Sequence, residues 1–333
     1  MTTVLSYYLI FILETMRKNF NEKFFRTLDS QKNFKWFWIP SKGKSGGMLS
    51  GIRTERFDLE NFESGEYTIV ANIHDKVLNK NLSLVNVYGP AQDEYKDKFL
   101  SELASMCLKY KYPMLIGGDF NILRFSEDKN KNFTQNRFSD IFNRIINLYE
   151  LRDLAPQGGK YTWSNNRNNP TLEKLDRVFI SSSWEQEFPL CNIKKIPRYT
   201  SDHNPIIYSR ELSQSKNSKP FSFENSWINH PDFITKMSEI WNKKVIAKSN
   251  IEQWCIKVNR IKKFLKGWGQ SIKGHNRKYK KFLQEELEKL EILEEVDSLP
   301  SNLLERKVFI QKELAKFMEE ESYCIEDQTQ IGY

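Results

Sequence analysis

Met114-Leu115-Ile116-Gly117-Gly118-Asp119-Phe120-Asn121 carries two short oxygen-bearing side chains one residue apart, at the end of an apolar run. In an extended chain, positions i and i+2 point to the same side, so Asp119 and Asn121 can face one cavity while Phe120 anchors the turn behind them. Read as plain structure, the same residues are a strand followed by an Asx-type turn. A second constellation stands far downstream, Ser201-Asp202-His203-Asn204-Pro205, where a carboxylate directly precedes a histidine. Carboxylates and a histidine gathered at one site are groups for proton transfer and for holding a cation. A lone histidine is more simply a satisfied surface residue, and it is the neighbours of His203 that single it out.

Two further carboxylates stand where apolar runs end or begin. Glu14 follows Val4 to Leu13, at the carboxyl end of an apolar stretch, which is a common place for a functional acid in an α/β sheet; capping the strand end is the plain alternative. Asp176 lies between Leu175 and Val178 in the run Glu173 to Ile180, as a salt-bridged core acid or a site residue. The loop Asn165 to Pro170, with its asparagines and Arg167, can reach a ligand. Lys42, Gly43, Lys44 and the glycines after them suit phosphate binding or, more simply on composition, a solvated loop.

These residues need a scaffold, and the periodicities supply one. Val4 to Leu13 reads as one buried strand, too short at ten residues to span a bilayer and without the basic segment of a signal peptide. Phe34 to Pro40, Met48 to Ile52, Tyr67 to His74, Leu82 to Tyr88, Met114 to Asp119 and Glu173 to Ile180 read as strands. Helices are expected over 92–110 and over 138–149, the latter with Phe138, Ile141, Phe142, Ile145, Ile146 and Tyr149 on one face. Strands alternating with helices and then strands again predict an α/β layered sandwich. The 333 residues, 39% hydrophobic, suffice for one sizeable domain plus a smaller part. The four cysteines (Cys107, Cys191, Cys255, Cys324) have no paired spacing for zinc or a disulfide framework, which points to a reducing compartment. A net charge of +8 favours an acidic partner such as nucleic acid.

Taken together, Glu14 after an apolar strand, Val87-Tyr88-Gly89-Pro90, Gly118-Asp119-Phe120-Asn121, Tyr161-Thr162-Trp163-Ser164, Leu175-Asp176-Arg177 and Ser201-Asp202-His203 resemble the ordered motif series of the endonuclease/exonuclease/phosphatase superfamily. Trp38-Ile39-Pro40-Ser41-Lys42-Gly43 and Ser201-Asp202-His203-Asn204-Pro205 are similar to the endonuclease domain of plant LINE-type (non-LTR) retrotransposons. The resemblance implies a DNase I-like α/β/β/α sandwich of two sheets over residues 1–210. By it, Glu14 holds Mg²⁺ (or Mn²⁺), Asp119 orients or deprotonates the attacking water, and Asn121 fixes its geometry. His203 donates to the scissile phosphate, and Asp202 serves as a metal-side acid or as the histidine's partner. Tyr88 hydrogen-bonds the phosphate, Asp176 orients the histidine or buffers its charge, and Thr162 steadies the substrate side. These roles suit a reaction that must neutralise an anionic phosphodiester while water attacks in line.

The implied activity is nicking of target DNA in the nucleus to expose a primer for reverse transcription, with DNA and retrotransposon RNA as partners and no membrane. Two departures temper it. The family's first strand, with a metal- and phosphate-holding asparagine, is expected to be missing, and no reverse transcriptase follows; a truncated element with an incomplete sheet and impaired catalysis is the simplest account. A small-molecule phosphoesterase of the same superfamily is one alternative; residues 1–210, with 30 Lys and Arg against 24 Asp and Glu, weakly favour DNA. A non-catalytic remnant that at most binds nucleic acid is the other.

Beyond a polar linker at 211–229, the pattern over 230–333 is helical, a hairpin or coiled-coil-like extension turning at Ser298-Leu299-Pro300-Ser301. Leu283, Leu287, Leu290 and Leu293 recur on one helix and Leu304, Val308, Leu314 and Phe317 on the next. Residues 243–281 hold 13 Lys and Arg against the single acid Glu252, while 282–330 hold 14 acids against five Lys and Arg. The basic block, with Trp254 and Trp268, fits a nucleic-acid backbone or a solvated helix face opposite the acidic one.

Overall fold

The structure, a computed structural model, describes residues 3–6, 8–29, 31–41, 46–209, 227–228, 230–246 and 249–330. The lysine-bearing loop Lys42 to Ser45 and nearly all of the expected linker lie outside the described residues. The chain divides into two compact units, residues 1–212 with 287–311, and residues 213–286 with 312–333.

The first unit is a two-sheet sandwich, as the DNase I-like resemblance implies. One sheet runs β10 (Pro156–Gln157), β14 (Asn192–Lys195), β15 (Ile206–Ser209), β1 (Thr3–Leu5), β2 (Leu9–Leu13), β4 (Met48–Arg53), β3 (Phe34–Ile39). The other runs β5 (Phe57–Ser64), β6 (Thr68–Asp75), β7 (Lys80–Tyr88), β8 (Met114–Asp119), β13 (Asp176–Ile180), β9 (Arg152–Asp153). Between the sheets pack Phe11, Leu13, Phe37, Ile52 and Ile206 from the first and Ile69, Ile73, Leu84, Leu115, Val178 and Ile180 from the second. The alternate residues of the second sheet, Val70, Val85, Val87, Ile116 and Phe179, face outward onto α2 (Asp93–Lys109) and α3 (Arg137–Leu148). The period-2 pattern thus buries both faces of that sheet, as its near-continuous apolar strands require. α3 presents the expected stripe, with Phe138, Phe142, Ile145 and Ile146 buried, and begins where the Asn136 side chain accepts the N–H groups of Phe138 and Ser139. On the other sheet, Phe25 of α1 (Glu22–Leu28) stacks on Trp36 of β3. The short α4 (Ser182–Glu187) and the two-stranded β11 (Trp163–Ser164) with β12 (Leu172–Glu173) complete the unit.

One expectation about the N-terminal strand is corrected. Val4 to Leu13 is a hairpin, not one strand: Ser6 Oγ accepts the N–H groups of Tyr8 and Leu9, and Ser6 N–H donates to Leu9 O at 2.7 Å. That serine turn diverts an otherwise apolar run. The hairpin lays β1 between β2, antiparallel, and β15, parallel; of the exposed edge or substitute strand that an incomplete sheet implied, the sheet has the strand. Likewise Glu173 to Ile180 is two strands, β12 and β13, joined through Lys174 and Leu175.

In the second unit α5 (Phe233–Asn242) and α6 (Asn250–Val296) bring Trp227, Phe233 and Leu265 together with Phe264 and Trp268. Trp268 is therefore a packing residue, while Trp254 is exposed. α7 (Ser301–Gln330) follows the expected turn. Leu283, Leu287, Leu290 and Leu314 are buried as the stripe requires; Leu293 and Val308 are exposed, and Ile310 takes a buried place instead. Leu287–Gln311, expected in the extension, pack with the sandwich. No helix among the described residues is long and apolar enough to cross a membrane.

Candidate active site

Strand register assembles the first wall of the site. β8 pairs with β7 and with β13 so that Tyr88, Asp119 and Asp176 stand opposite one another at the strand ends. Gly118 permits this: at φ +147°, a Cβ there would lie 1.9 Å from Val87 O. Directly opposed carboxylates repel, and burial removes the water that would screen them. Burial first, and the Asp176 charge second, push the Asp119 carboxyl up to about 7; His203 and the Asn121 N–H partly oppose the shift. Asn121 sits in the left-handed region (φ +49°), which asparagine tolerates. Its N–H donates to Asp119 Oδ1 at 3.0 Å and its Nδ2 to Asp119 Oδ2 at 2.8 Å and Gly89 O at 2.9 Å. Both Asp119 oxygens are thereby oriented.

The second wall comes from the ends of the other sheet. Glu14 follows β2, also with positive φ (+54°), and accepts a 2.8 Å hydrogen bond from the Tyr88 hydroxyl. For a glutamate that backbone costs on the order of 1 kcal/mol, a strain typical of functional positions. His203 precedes β15. Its Nδ1 is 2.9 Å from Asp176 Oδ2 and its Nε2 4.0 Å from Asp119 Oδ2. Burial disfavours the charged ring, but the charge and hydrogen bond of Asp176, then Asp119 and Asp202, outweigh it and raise the His203 pKa to about 9. His203 is protonated at neutral pH, with Nδ1 donating to Asp176 and Nε2 left to face the cleft. Asp202 is more exposed and accepts Trp163 Nε1–H at 3.0 Å. Burial works against its charge, but that hydrogen bond and His203 hold its pKa below the usual value.

Glu14, Tyr88, Asp119, Asn121, Asp202 and His203 line one cleft of about 450 Å³, which continues past Trp163 to Lys96, Lys129, Phe133 and Phe138. Asp176 lies behind the histidine, fully buried. Thr162 is corrected from a substrate contact to a buried support: its Oγ1 accepts the N–H groups of Leu175 (3.1 Å) and Asp176 (2.9 Å). Asn165 and Arg167 are outside the cleft lining; Asn165 Oδ1 accepts the N–H groups of Arg167 and Thr171 and so shapes its own loop. Lys96 and Lys129 line the cleft without having been singled out by the sequence, where nothing sets them apart from ordinary surface residues, and Trp163, given no role within its motif, lines it too.

Asp119, Asp176 and His203 bring three metal-competent atoms within 4.8 Å of one another. Asp176 Oδ2 and His203 Nδ1 are already paired with each other at 2.9 Å. The carboxylates of Glu14 and Asp202, which line the same cleft, are the donor type a hard divalent cation requires, so the residues present fit such an ion.

The cleft lies at the ends of both sheets of the sandwich, as the endonuclease/exonuclease/phosphatase resemblance implies. Residues 82–207 match the family model described as endonuclease-reverse transcriptase. The chain is 22% identical over 170 residues to the transposon TX1 uncharacterized 149 kDa protein of Xenopus laevis, a match covering 49% of this chain and 13% of that protein. The chain thus spans only a small part of that relative's length. Among solved structures it is similar to the endonuclease domain of TRAS1, a telomere-specific non-LTR retrotransposon (14% identity, 55% of this chain and 82% of that one, TM-score 0.44). It is similar also to an endonuclease/exonuclease/phosphatase from Bacteroides vulgatus (14% identity, 62% and 85%, TM-score 0.44).

Proposed function

We propose that the chain is a divalent-metal-dependent DNA-nicking endonuclease of a LINE-type retrotransposon, acting in the nucleus beside the element's RNA. The observation that carries this reading is the Asp176–His203 pair set 4.0 Å from the Asn121-oriented Asp119 carboxylate, in a cleft with Glu14 and Asp202 on its rim. Asp119, held by Asn121, receives the proton of the attacking water; its raised pKa makes it a competent base near neutral pH. His203, charged and fixed by Asp176, donates from Nε2 to the phosphate, where negative charge develops. The Tyr88 hydroxyl stays protonated, since burial and then Glu14 raise its pKa, and it serves as a hydrogen-bond donor. Glu14 and Asp202 would hold Mg²⁺, which when bound supplies Lewis-acid neutralisation of the phosphate oxygens. The transposon relative and the family description support the retrotransposon assignment, and the excess of basic residues supports DNA as substrate.

The test is conversion of supercoiled plasmid to nicked circle in Mg²⁺. Asp119→Ala and His203→Ala should each slow it by roughly 100-fold or more. Nicking that survives both substitutions assigns the activity to something other than this cleft.

A further inference from the structure

The sandwich does not end with its last strand. Residues 287–311, the tip of the α6–α7 hairpin, form one compact unit with residues 1–212. The acidic face there, one helical turn apart at Glu288, Glu291, Glu294 and Glu295, meets the basic segment that leads into the Asp202-His203 loop. Lys195 pairs with Glu295 at 2.6 Å, and Arg198 with Glu291 at 3.3 Å and Glu294 at 3.2 Å. Lys307 of α7 closes on Glu294 at 2.7 Å. Lys195, Arg198, Glu291, Glu294 and Lys307 are all buried, unlike surface ion pairs. The glycine pair that leaves β10 makes room: a Cβ on Gly159 (φ +119°) would stand 2.4 Å from Glu295 Oε1.

Glu291 also reaches the active-site loop itself. Its Oε2 accepts Asn204 Nδ2 at 2.9 Å and its Oε1 accepts the Arg198 N–H at 3.2 Å, while Arg198 Nη1 donates to Asn204 Oδ1 at 3.1 Å. Asn204 follows His203 directly, is fully buried, and donates its N–H to Thr162 O at 2.7 Å. Thr162 in turn holds the backbone of Asp176. One chain of contacts therefore runs from Glu291 through Asn204, the residue after His203, and Thr162 to the backbone N–H of Asp176.

We propose that Glu291 is a positioning residue for the active site, and that the hairpin tip is a working part of the nuclease unit whose docking sets the His203 loop. This rests on the nuclease reading for its catalytic consequence, but not for its structural one. Misplacing a general acid by an ångström lowers turnover without changing how substrate is held. A displaced hairpin leaves a folded sandwich with a disordered acid.

The full chain and its variants are compared by plasmid nicking and by amide hydrogen exchange. Glu291→Ala should lower kcat tenfold or more with KM within about twofold, and should speed exchange over residues 198–206 but not in β6 or β7. Glu288→Ala, at the half-exposed rim pair with Lys194, should match the unaltered chain within twofold. The inference is overturned if Glu291→Ala leaves exchange at 198–206 unchanged, or if it speeds exchange in β6 and β7 as much as at 198–206. If no form of the chain nicks DNA, the nuclease reading falls, and exchange confined to 198–206 still decides whether Glu291 holds the loop.

Discussion

His203 shows how much one residue's surroundings decide. Its pKa in the folded chain, about 9, lies above the ordinary histidine value of 6.5, so folding takes up a proton there. The stabilisation is fully present below about pH 6.5 and is lost as pH rises through about 9; a shift of this size corresponds to on the order of 3 kcal/mol. Urea midpoints of metal-free protein should fall across that window, and His203→Asn should flatten the fall; an equal slope in the variant would assign it to other groups. Asp176→Asn keeps the shape but removes the charge that holds the imidazolium, and we expect nicking to drop by about 100-fold or more, together with loss of most of that stabilisation at neutral pH. Gly118→Ala acts through the backbone instead. Its Cβ would stand inside Val87 O, in a backbone conformation that alanine avoids, and a loss of at least about 3 kcal/mol is expected by urea unfolding.

At the scale of elements, β1 is the informative case. Three residues join β2 to β15 and so connect the strand that delivers Glu14 with the strand that His203 precedes. Deleting residues 1–6 would leave both neighbours as open edges in mid-sheet, with unpaired N–H and C=O groups. The expected result is a lower urea midpoint and concentration-dependent light scattering; a deletion variant as stable and monodisperse as the full chain would show that β1 is dispensable. The Ser6 turn is the local cause of that strand, since without its two hydrogen bonds the apolar run has no reason to reverse.

At the scale of the whole chain, the two charge blocks of the C-terminal third have different roles. The acidic face at 288–295 is spent on Lys194, Lys195 and Arg198 of the sandwich, so its charge is a packing device. A protein cut at residue 212 loses those partners together with the Asn204–Glu291 hydrogen bond, and its melting temperature should fall by several degrees relative to the full chain. Because the Lys195 and Arg198 pairs are buried, added salt should change that difference little. Equal melting of the two would show that the hairpin tip adds nothing to the sandwich.

Residue types and local period were enough to place β6, β7, β8, α2 and α3, because one-dimensional apolar patterns determine which faces must be buried. The motif series likewise picked out Glu14, Tyr88, Asp119, Asn121, Asp176, Asp202 and His203, six of which line one cleft with the seventh directly behind. Only the tertiary structure decided the rest. Thr162 lies beneath Asp176 because strand register, which no local pattern encodes, sets its hydroxyl against two backbone N–H groups. Val4 to Leu13 reverses because a single serine outweighs an apolar run that otherwise reads as continuous. The pairing of Glu291 with Asn204 joins residues 87 apart in the chain, and a carboxylate on a charged helix looks alike in sequence whether it meets water or a buried arginine.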